Sequence, residues 1–387
     1  MITELRVSNF YSFGEDTTIS FIKGGNKVEG GYAYINKTQK VSLINGFFGA
    51  NASGKSNILR AISTLIKFTG IKNSSLVSSF SKKYLDKPIK LGLNILHEGK
   101  HFAYDISVKD NLITYEKLEE LTISGKTKKI IFEIKENKKY FSSDLNDIND
   151  YLQSQELPSK ETILSKLNFL EHNVTKIFRS SLGFTISHIS DISHLAYRHN
   201  LIDDLLYIDK YSKETTLKGL KIFDPTIEDI IINKIDDKTS IHLSHKNFAK
   251  NVQLEDESKG TQELFFTFYY FISILKVGFI AVYDELNRSF HPEIQNIIYQ
   301  MFLDPKFNRN NAQLFFSSHD HEIMNQLKLD QILIVEKDQD SSKVFKLSQV
   351  EGVNSRDNIA KKYRIGFFGG VPDENDLKYL LSEILYE

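Results

Sequence analysis

Apolar and polar positions change period several times along the chain, and the changes divide it. Residues 2–8 and 17–22 alternate in the manner of half-buried strands, joined across the turn-prone Asn9-Phe10-Tyr11-Ser12-Phe13-Gly14. Val41-Ser42-Leu43-Ile44 predicts a short buried strand, and Asn57-Ile58-Leu59-Arg60-Ala61-Ile62 opens a helix reaching about Phe68. A polar, Ser/Lys-rich connection follows over about 70–86. Between Pro88 and Phe141 the segments LGLNILHEG, KHFAYDISVKDN, LITYEKLEELTISGK and KKIIFEIKENKKYF alternate between turn signals. That pattern predicts an antiparallel sheet with one wet face. Residues 142–215 change to helical spacing in SSDLNDINDYLQ, KETILSKLNFLEHNVTKIF and HNLIDDLLYIDKY, with Asp, Ser and Pro near their starts. No heptad register persists, so no long coiled-coil arm is expected. From about 216 the pattern is mixed α/β, with strands expected near 239–244, 278–283, 312–317 and 331–336.

One apolar run has the length of a membrane span, Leu264 to Tyr283. Lys276 and Gly278 divide it and Asp284-Glu285 close it, which predicts a buried helix running into a buried strand. The start, Met1-Ile2-Thr3-Glu4-Leu5-Arg6, lacks a basic stretch followed by an apolar one, so no secretory leader and a cytoplasmic location are expected. A formal net charge of −1 creates no global field that would gather nucleic acid. The absence of cysteine excludes disulfides, zinc–thiolate sites and thiol catalysis.

Candidate chemistry is concentrated at the ends of the predicted strands. Gly49-Ala50-Asn51-Ala52-Ser53-Gly54-Lys55-Ser56 fits G-x-x-x-x-G-K-S between a strand and a helix. In such a loop glycines let backbone N–H groups close around phosphate. Lys55 would reach the β/γ-phosphates, and the Ser56 hydroxyl would take a place on Mg²⁺. The chain is therefore expected to bind a nucleoside triphosphate with Mg²⁺. Downstream, the run from Val277 to Tyr283 ends in Asp284-Glu285, the form of a Walker B strand. Asp284 would hold the metal through its water shell, and Glu285 would orient or deprotonate the attacking water. Leu314-Phe315-Phe316-Ser317-Ser318-His319 predicts another buried strand whose histidine can contact the γ-phosphate. Upstream, Glu257-Ser258-Lys259-Gly260-Thr261-Gln262 opens a helix, where serine and glycine suit an anion or a simple helix cap.

In order and spacing these motifs resemble ABC-type ATPase heads: 26 residues separate Ser258 from Asp284, and 34 separate Glu285 from His319. The resemblance narrows through ITELRVSNFYSF and GANASGKSN, with Asn57 after Ser56, to SMC, RecF and OLD-type heads. FDPTIEDI (223–230), ESKGTQELF (257–265), DELNRSFHPEI (284–294), SSHDHEI (317–323) and YRIGFFGGVP (363–372) resemble the RloA-like AAA-ATPases of bacterial abortive-infection and other anti-phage systems. The implied fold is α/β: a P-loop NTPase head with a mixed sheet, an antiparallel β-subdomain and a helical insertion. Residues 1–141 and 216–387 would form its two halves and 142–215 a sensor or partner lobe. In such heads the Ser258 loop, with Gly260 and Thr261, binds the ATP of a partner subunit, so a homodimer sandwiching two nucleotides is implied. Two departures stand out. No glutamine occurs between Lys55 and Gln153 to serve as a Q-loop, and Asn287 stands where relatives often carry Asp.

The resemblance implies an ATPase acting as switch, sensor or scaffold for a separate effector, a nuclease or toxin, with a phage-derived trigger or DNA as a further partner and no membrane. Alternatives are a DNA-maintenance ATPase of RecF or SMC type, for which the lysines of 126–139 would face DNA, and a transporter ATPase subunit. Glu336, Asp338 and Asp340 invite a two-metal nuclease reading against a strand followed by a solvated turn.

Overall fold

The computed structural model describes the chain except residues 26–29, 69–82, 136–137, 157, 176–209, 236–237, 247, 290–291, 339, 372–381 and 384–387. Two sheets dominate. The first is antiparallel and formed by β1 (Ile2–Ser8), β2 (Thr17–Ser20), β7 (Ile89–His97), β8 (Lys100–Lys109), β9 (Leu112–Leu121), β10 (Thr127–Lys135) and β11 (Lys138–Phe141), in the order β11-β10-β9-β8-β7-β1-β2. A small sheet of β3 (Ile22–Gly24), β4 (Tyr32–Tyr34) and β5 (Gln39–Ser42) lies between β2 and β6 (Ile44–Phe48) in the chain.

The second large sheet is built on β6. Its order is β15 (Ile280–Tyr283), β16 (Gln313–Ser317), β6, β17 (Ile332–Asp338) and β18 (Ser341–Lys346), the first four parallel and the last antiparallel. Successive side chains of a strand point to opposite faces, and both faces here are buried. Phe47, Ile280, Val282, Phe315, Leu333 and Val335 join one core with α1 (Lys55–Phe68) and the antiparallel sheet. Ile44, Phe48, Ala281, Tyr283, Leu314, Phe316, Ile332 and Ile334 join the other. That second core contains residues of the later helices α4 (Lys210–Phe223), α5 (Lys259–Val277) and α7 (Pro292–Leu303). Double burial explains why these strands read as continuous apolar runs. Gln313 rivets the two sheets: its Nε2 donates to Ile2 O at 2.9 Å and Ser42 O at 2.8 Å, and its Oε1 accepts from Ile2 N at 2.8 Å.

The predicted strand at 41–44 is corrected. The chain leaves the small sheet at Ser42 and starts β6 at Ile44, and both pieces are buried, so a single apolar run spans two sheets. Helix α1 starts at Lys55, two residues before the expected Asn57. A further sheet, β12 (Ile227–Ile235), β13 (Lys238–His245) and β14 (Val252–Gln253), contains two strands the pattern does not predict: Ile230-Ile231-Ile232 interrupts the alternation of β12, and β14 is only two residues long. The Leu264–Tyr283 run is α5, closed by Gly278 in the left-handed region at φ 82°, and then β15. Among the described residues no helix is long and apolar enough to cross a membrane.

Most of 70–86 and of HNLIDDLLYIDKY lies outside the described residues. Within 142–175 the chain forms a 3-10 turn (Ser143–Ile148), α2 (Asn149–Gln153) and α3 (Ile163–Phe169). Leu145, Leu152, Ile163, Leu164 and Leu167 share the core of the antiparallel sheet. The anchor is Glu116 of β9, fully buried, whose carboxylate accepts from Ile163 N at 2.6 Å, Leu164 N at 2.9 Å and Tyr104 Oη at 3.0 Å. Burial pushes its pKa up from 4.5 to about 7, against the pull of these donors. Between those two values the folded chain holds a proton that the unfolded chain releases, so this group's contribution to stability falls as pH rises through the window. Glu116→Gln, which cannot titrate, should therefore gain on the wild type by up to about 3 kcal/mol across that range. Urea unfolding of both proteins at several pH values measures this. A stability difference that stays constant would show that the carboxyl group does not titrate there.

Candidate functional site

The carboxyl ends of β6, β15 and β16 share one edge of the parallel sheet, the place where open α/β sheets form their binding crevice. From β6 the chain turns through Gly49–Gly54 into α1. Gly54 sits at φ 117°, and a Cβ there would come within 2.5 Å of Ser342 Oγ and 2.7 Å of Ser12 Oγ. At Gly49 a Cβ would meet Val335 O at 2.1 Å. The loop is thus seated on β17, β18 and the amino-terminal turn, and only glycine fits. Ser342 Oγ donates to Ser53 O, Ser342 N to Ser12 O at 2.8 Å, and Asn57 Nδ2 to Ser12 Oγ at 2.8 Å. Asn51 is exposed and Ser56 half-buried at the loop's two ends.

Lys55 is buried, and its Nζ donates to Gly49 O at 2.8 Å and Ala50 O at 2.9 Å. Burial lowers its pKa, opposed by the nearby Asp284 and Glu285 carboxylates, which places the phosphate loop and the acidic pair in one electrostatic unit. Ser53 Oγ is buried with no hydrogen-bond partner among the described residues. An ammonium facing two carboxylates, an orphaned hydroxyl and a cradle that a Cβ would fill are what a polyphosphate with a divalent cation requires. Ser56 follows Lys55 directly at the start of α1, and Asp284 is one of the two carboxylates that act on Lys55.

Asp284 and Glu285 follow β15 directly. Glu285 sits at φ 56°, unusual for a side-chain-bearing residue, and its N–H donates to Ser317 Oγ at 2.8 Å. Ser317 Oγ in turn donates to Asp284 Oδ1. The strained peptide is therefore clamped by the neighbouring strand, and strain of this kind collects at functional positions. His319 Nε2 lies 3.5 Å from Glu285 Oε1. Its backbone N–H donates to Asn287 Oδ1 at 2.9 Å, and Ser318 Oγ donates to the same oxygen at 3.3 Å. Asn287, marked in the sequence only as a departure, thus fixes the strand end that carries His319.

Ser258, Gly260 and Thr261 lie elsewhere. Ser258 is the exposed N-cap of α5, accepting from Thr261 N at 3.1 Å and sharing a hydrogen bond with Thr261 Oγ1 at 2.8 Å. Among the described residues no hydrogen bond joins these three to the phosphate loop or the acidic pair. A Cβ on Gly260 would meet nothing closer than Ser258 Oγ at 3.9 Å, so its own fold gives no steric reason for glycine. Gln262, unassigned from sequence, braces the turn by donating to Glu255 O at 3.0 Å and Glu257 O at 2.8 Å.

The remaining motifs pair off. In YRIGFFGG, the Tyr363 ring centroid lies 4.5 Å from that of His321 in SSHDHEI, and Tyr363 Oη donates to Gly370 O at 2.6 Å. FDPTIEDI meets ESKGTQELF through His245, whose Nδ1 is 2.9 Å from Thr226 Oγ1 and whose Nε2 is 2.8 Å from Glu257 Oε1. Of the sheet-edge lysines, Lys128 pairs with Glu120 at 2.7 Å and Lys129 with Asp144 at 2.6 Å. Glu336 and Asp338 end β17, which turns back into β18, and Asp338 pairs with Lys343.

Several solved structures are similar to this chain in fold. The SMC head domain from Thermotoga maritima is 14% identical, covering 89% of this chain and 98% of that one with a TM-score of 0.40. The Smc head domain from Pyrococcus furiosus, with an extended coiled coil and bound to the C-terminal domain of ScpA, is 13% identical over 90% and 97% at 0.46. The Smc head domain with a coiled coil and joint from Pyrococcus yayanosii is 10% identical over 94% and 99% at 0.48. No curated protein matches the sequence. A family model described as "AAA domain, putative AbiEii toxin, Type IV TA system" matches residues 44–325. Matched by that model over well more than half of its length, this chain belongs to the AAA-domain family.

Proposed function

We propose that the chain is an ATP-hydrolysing switch that closes as a homodimer around two ATP–Mg²⁺ and governs a separate effector in a bacterial anti-phage, abortive-infection system. The observation that carries the ATPase reading is the single cluster of Lys55, Asp284, Glu285 and His319 at one sheet edge. Gly49, Asn51, Ser53, Gly54, Lys55, Ser56 and Asn57 would bind the phosphates, with Ser56 and Asp284 on the cation. When bound, the cation supplies charge neutralisation between the phosphate oxygens. Glu285 accepts the proton of the attacking water, and His319, 3.5 Å from it, orients that carboxylate and the leaving phosphate.

The dimer reading rests on the exposed Ser258–Thr261 turn. It carries a glycine its own fold does not need, at the amino end of the 19-residue α5, whose dipole favours an anion. A second copy presenting its triphosphate there would complete each site. Phosphates bridging two subunits then couple nucleotide state to assembly, as a two-state switch requires. The defence setting rests on the family description, which names a toxin and a toxin–antitoxin system, and on the RloA-like motifs.

Two measurements test these roles. Glu285→Gln should lose at least about a hundredfold in ATP turnover while keeping the phosphate contacts, and should accumulate as a dimer or larger assembly with ATP–Mg²⁺ in light scattering. Undiminished turnover with unchanged mass would contradict both roles. Asn287→Ala removes the acceptor that holds His319 and should lower kcat about tenfold or more with little change in labelled-ATP binding. Asn287→Asp keeps the acceptor and should stay within a few-fold of wild type; equal kcat in all three proteins would remove Asn287 from the account.

A further inference from the structure

His245 closes β13 and is buried, outside every motif that marks the nucleotide site. Its hydrogen bonds tie two separate segments together. Thr226 Oγ1 lies 2.6 Å from Asp224 Oδ1, a contact that uses the hydroxyl's one proton, and Thr226 N also donates to that oxygen at 2.9 Å. Facing His245 Nδ1 at 2.9 Å, the hydroxyl can then only accept. Glu257 Oε1, 2.8 Å from Nε2, is an acceptor as well. The network is satisfied when both ring nitrogens donate. The charged groups facing it are Glu257 and Asp224, whose Oδ2 is 3.9 Å away, while the Phe248 ring stands edge-on with its centroid at 5.2 Å. Lys246, next in the chain, is exposed.

Glu257 immediately precedes Ser258, and it is held twice. Gln262 binds its carbonyl and His245 its carboxylate. The other end of the bridge is the turn that closes α4, since Asp224 N donates to Leu220 O at 2.8 Å. The Ser258 turn is thereby tied to the helix through which the chain re-enters the nucleotide-binding half from the 142–215 segment.

We propose that His245 is a positioning residue: bridging Glu257 and the Thr226–Asp224 pair, it holds the Ser258–Thr261 turn in the geometry that receives the triphosphate of a second copy. This rests on the reading of that turn as the second half of a composite site. The bridge sets dimer closure, and it leaves the phosphate loop of the same chain untouched.

The test compares Glu285→Gln alone with the same protein carrying His245→Gln or Glu257→Gln. Dimerisation with ATP–Mg²⁺ is followed by analytical ultracentrifugation, and fluorescent-ATP binding is measured at monomer concentrations. Both added substitutions should weaken the dimer about tenfold or more and leave monomer binding within about twofold. Because Glu257 lies in a surface turn, Glu257→Gln gives an answer even if His245→Gln disturbs β13. Dimers of equal strength in all three proteins would overturn the inference alone. A parent that never dimerises would overturn the composite-site reading and the inference with it.

Discussion

Burying a parallel sheet on both faces is the constraint from which the rest follows. The apolar side chains of β6, β15 and β16 are divided between two cores, with Asn45 and Gln313 as buried polar exceptions. A polar group there would cost several kcal/mol unless fully bonded, as Gln313 is. Chemistry is therefore expelled to the strand ends, and because the strands are parallel their carboxyl ends share one edge. Phosphate loop, acidic pair and Ser-Ser-His segment meet there for that reason, although 270 residues separate Gly49 from His319. β16 lies between β6 and β15, so Ser317 and His319 sit between the phosphate loop and the acidic pair.

The edge is held by contacts that leave the reactive groups little freedom. Ser342 and Ser12 seat the phosphate loop from outside it. Ser317 holds Glu285 in a left-handed conformation that costs of order 1–3 kcal/mol, a cost the surrounding core can carry. Asn287 fixes the backbone of His319. These clamps are small neutral groups, so the field at the site is set by Lys55 against Asp284 and Glu285.

Much of this was legible in the sequence, and the failures have physical causes. The phosphate loop, the acidic strand end and the antiparallel sheet are local patterns, fixed by spacing within a few residues. The strand before the phosphate loop was misplaced because both Gln39–Ser42 and Ile44–Phe48 are buried, and periodicity cannot say where one sheet ends and another begins. β18 is not legible because Ser341–Lys346 is a polar edge strand, mostly half-buried and without a clear apolar alternation. The roles of Asn287, Gln262, Ser342 and His245 were illegible for another reason. Each is defined by a partner brought near only by the fold, such as Thr226 for His245, 19 residues away, or Ser53 for Ser342, 289 away.

The central claim is that each nucleotide site is shared between two copies, one giving Lys55 and the other Ser258. Mixing two singly inactive variants, Lys55→Ala and Ser258→Arg, tests it most directly. In a mixed dimer one site carries both defects and the other carries neither, so ATP turnover should return when the two proteins are combined. A mixture as inactive as its components, with mixed dimers verified by differential tags, would place Ser258 and Lys55 in separate functions and contradict the account.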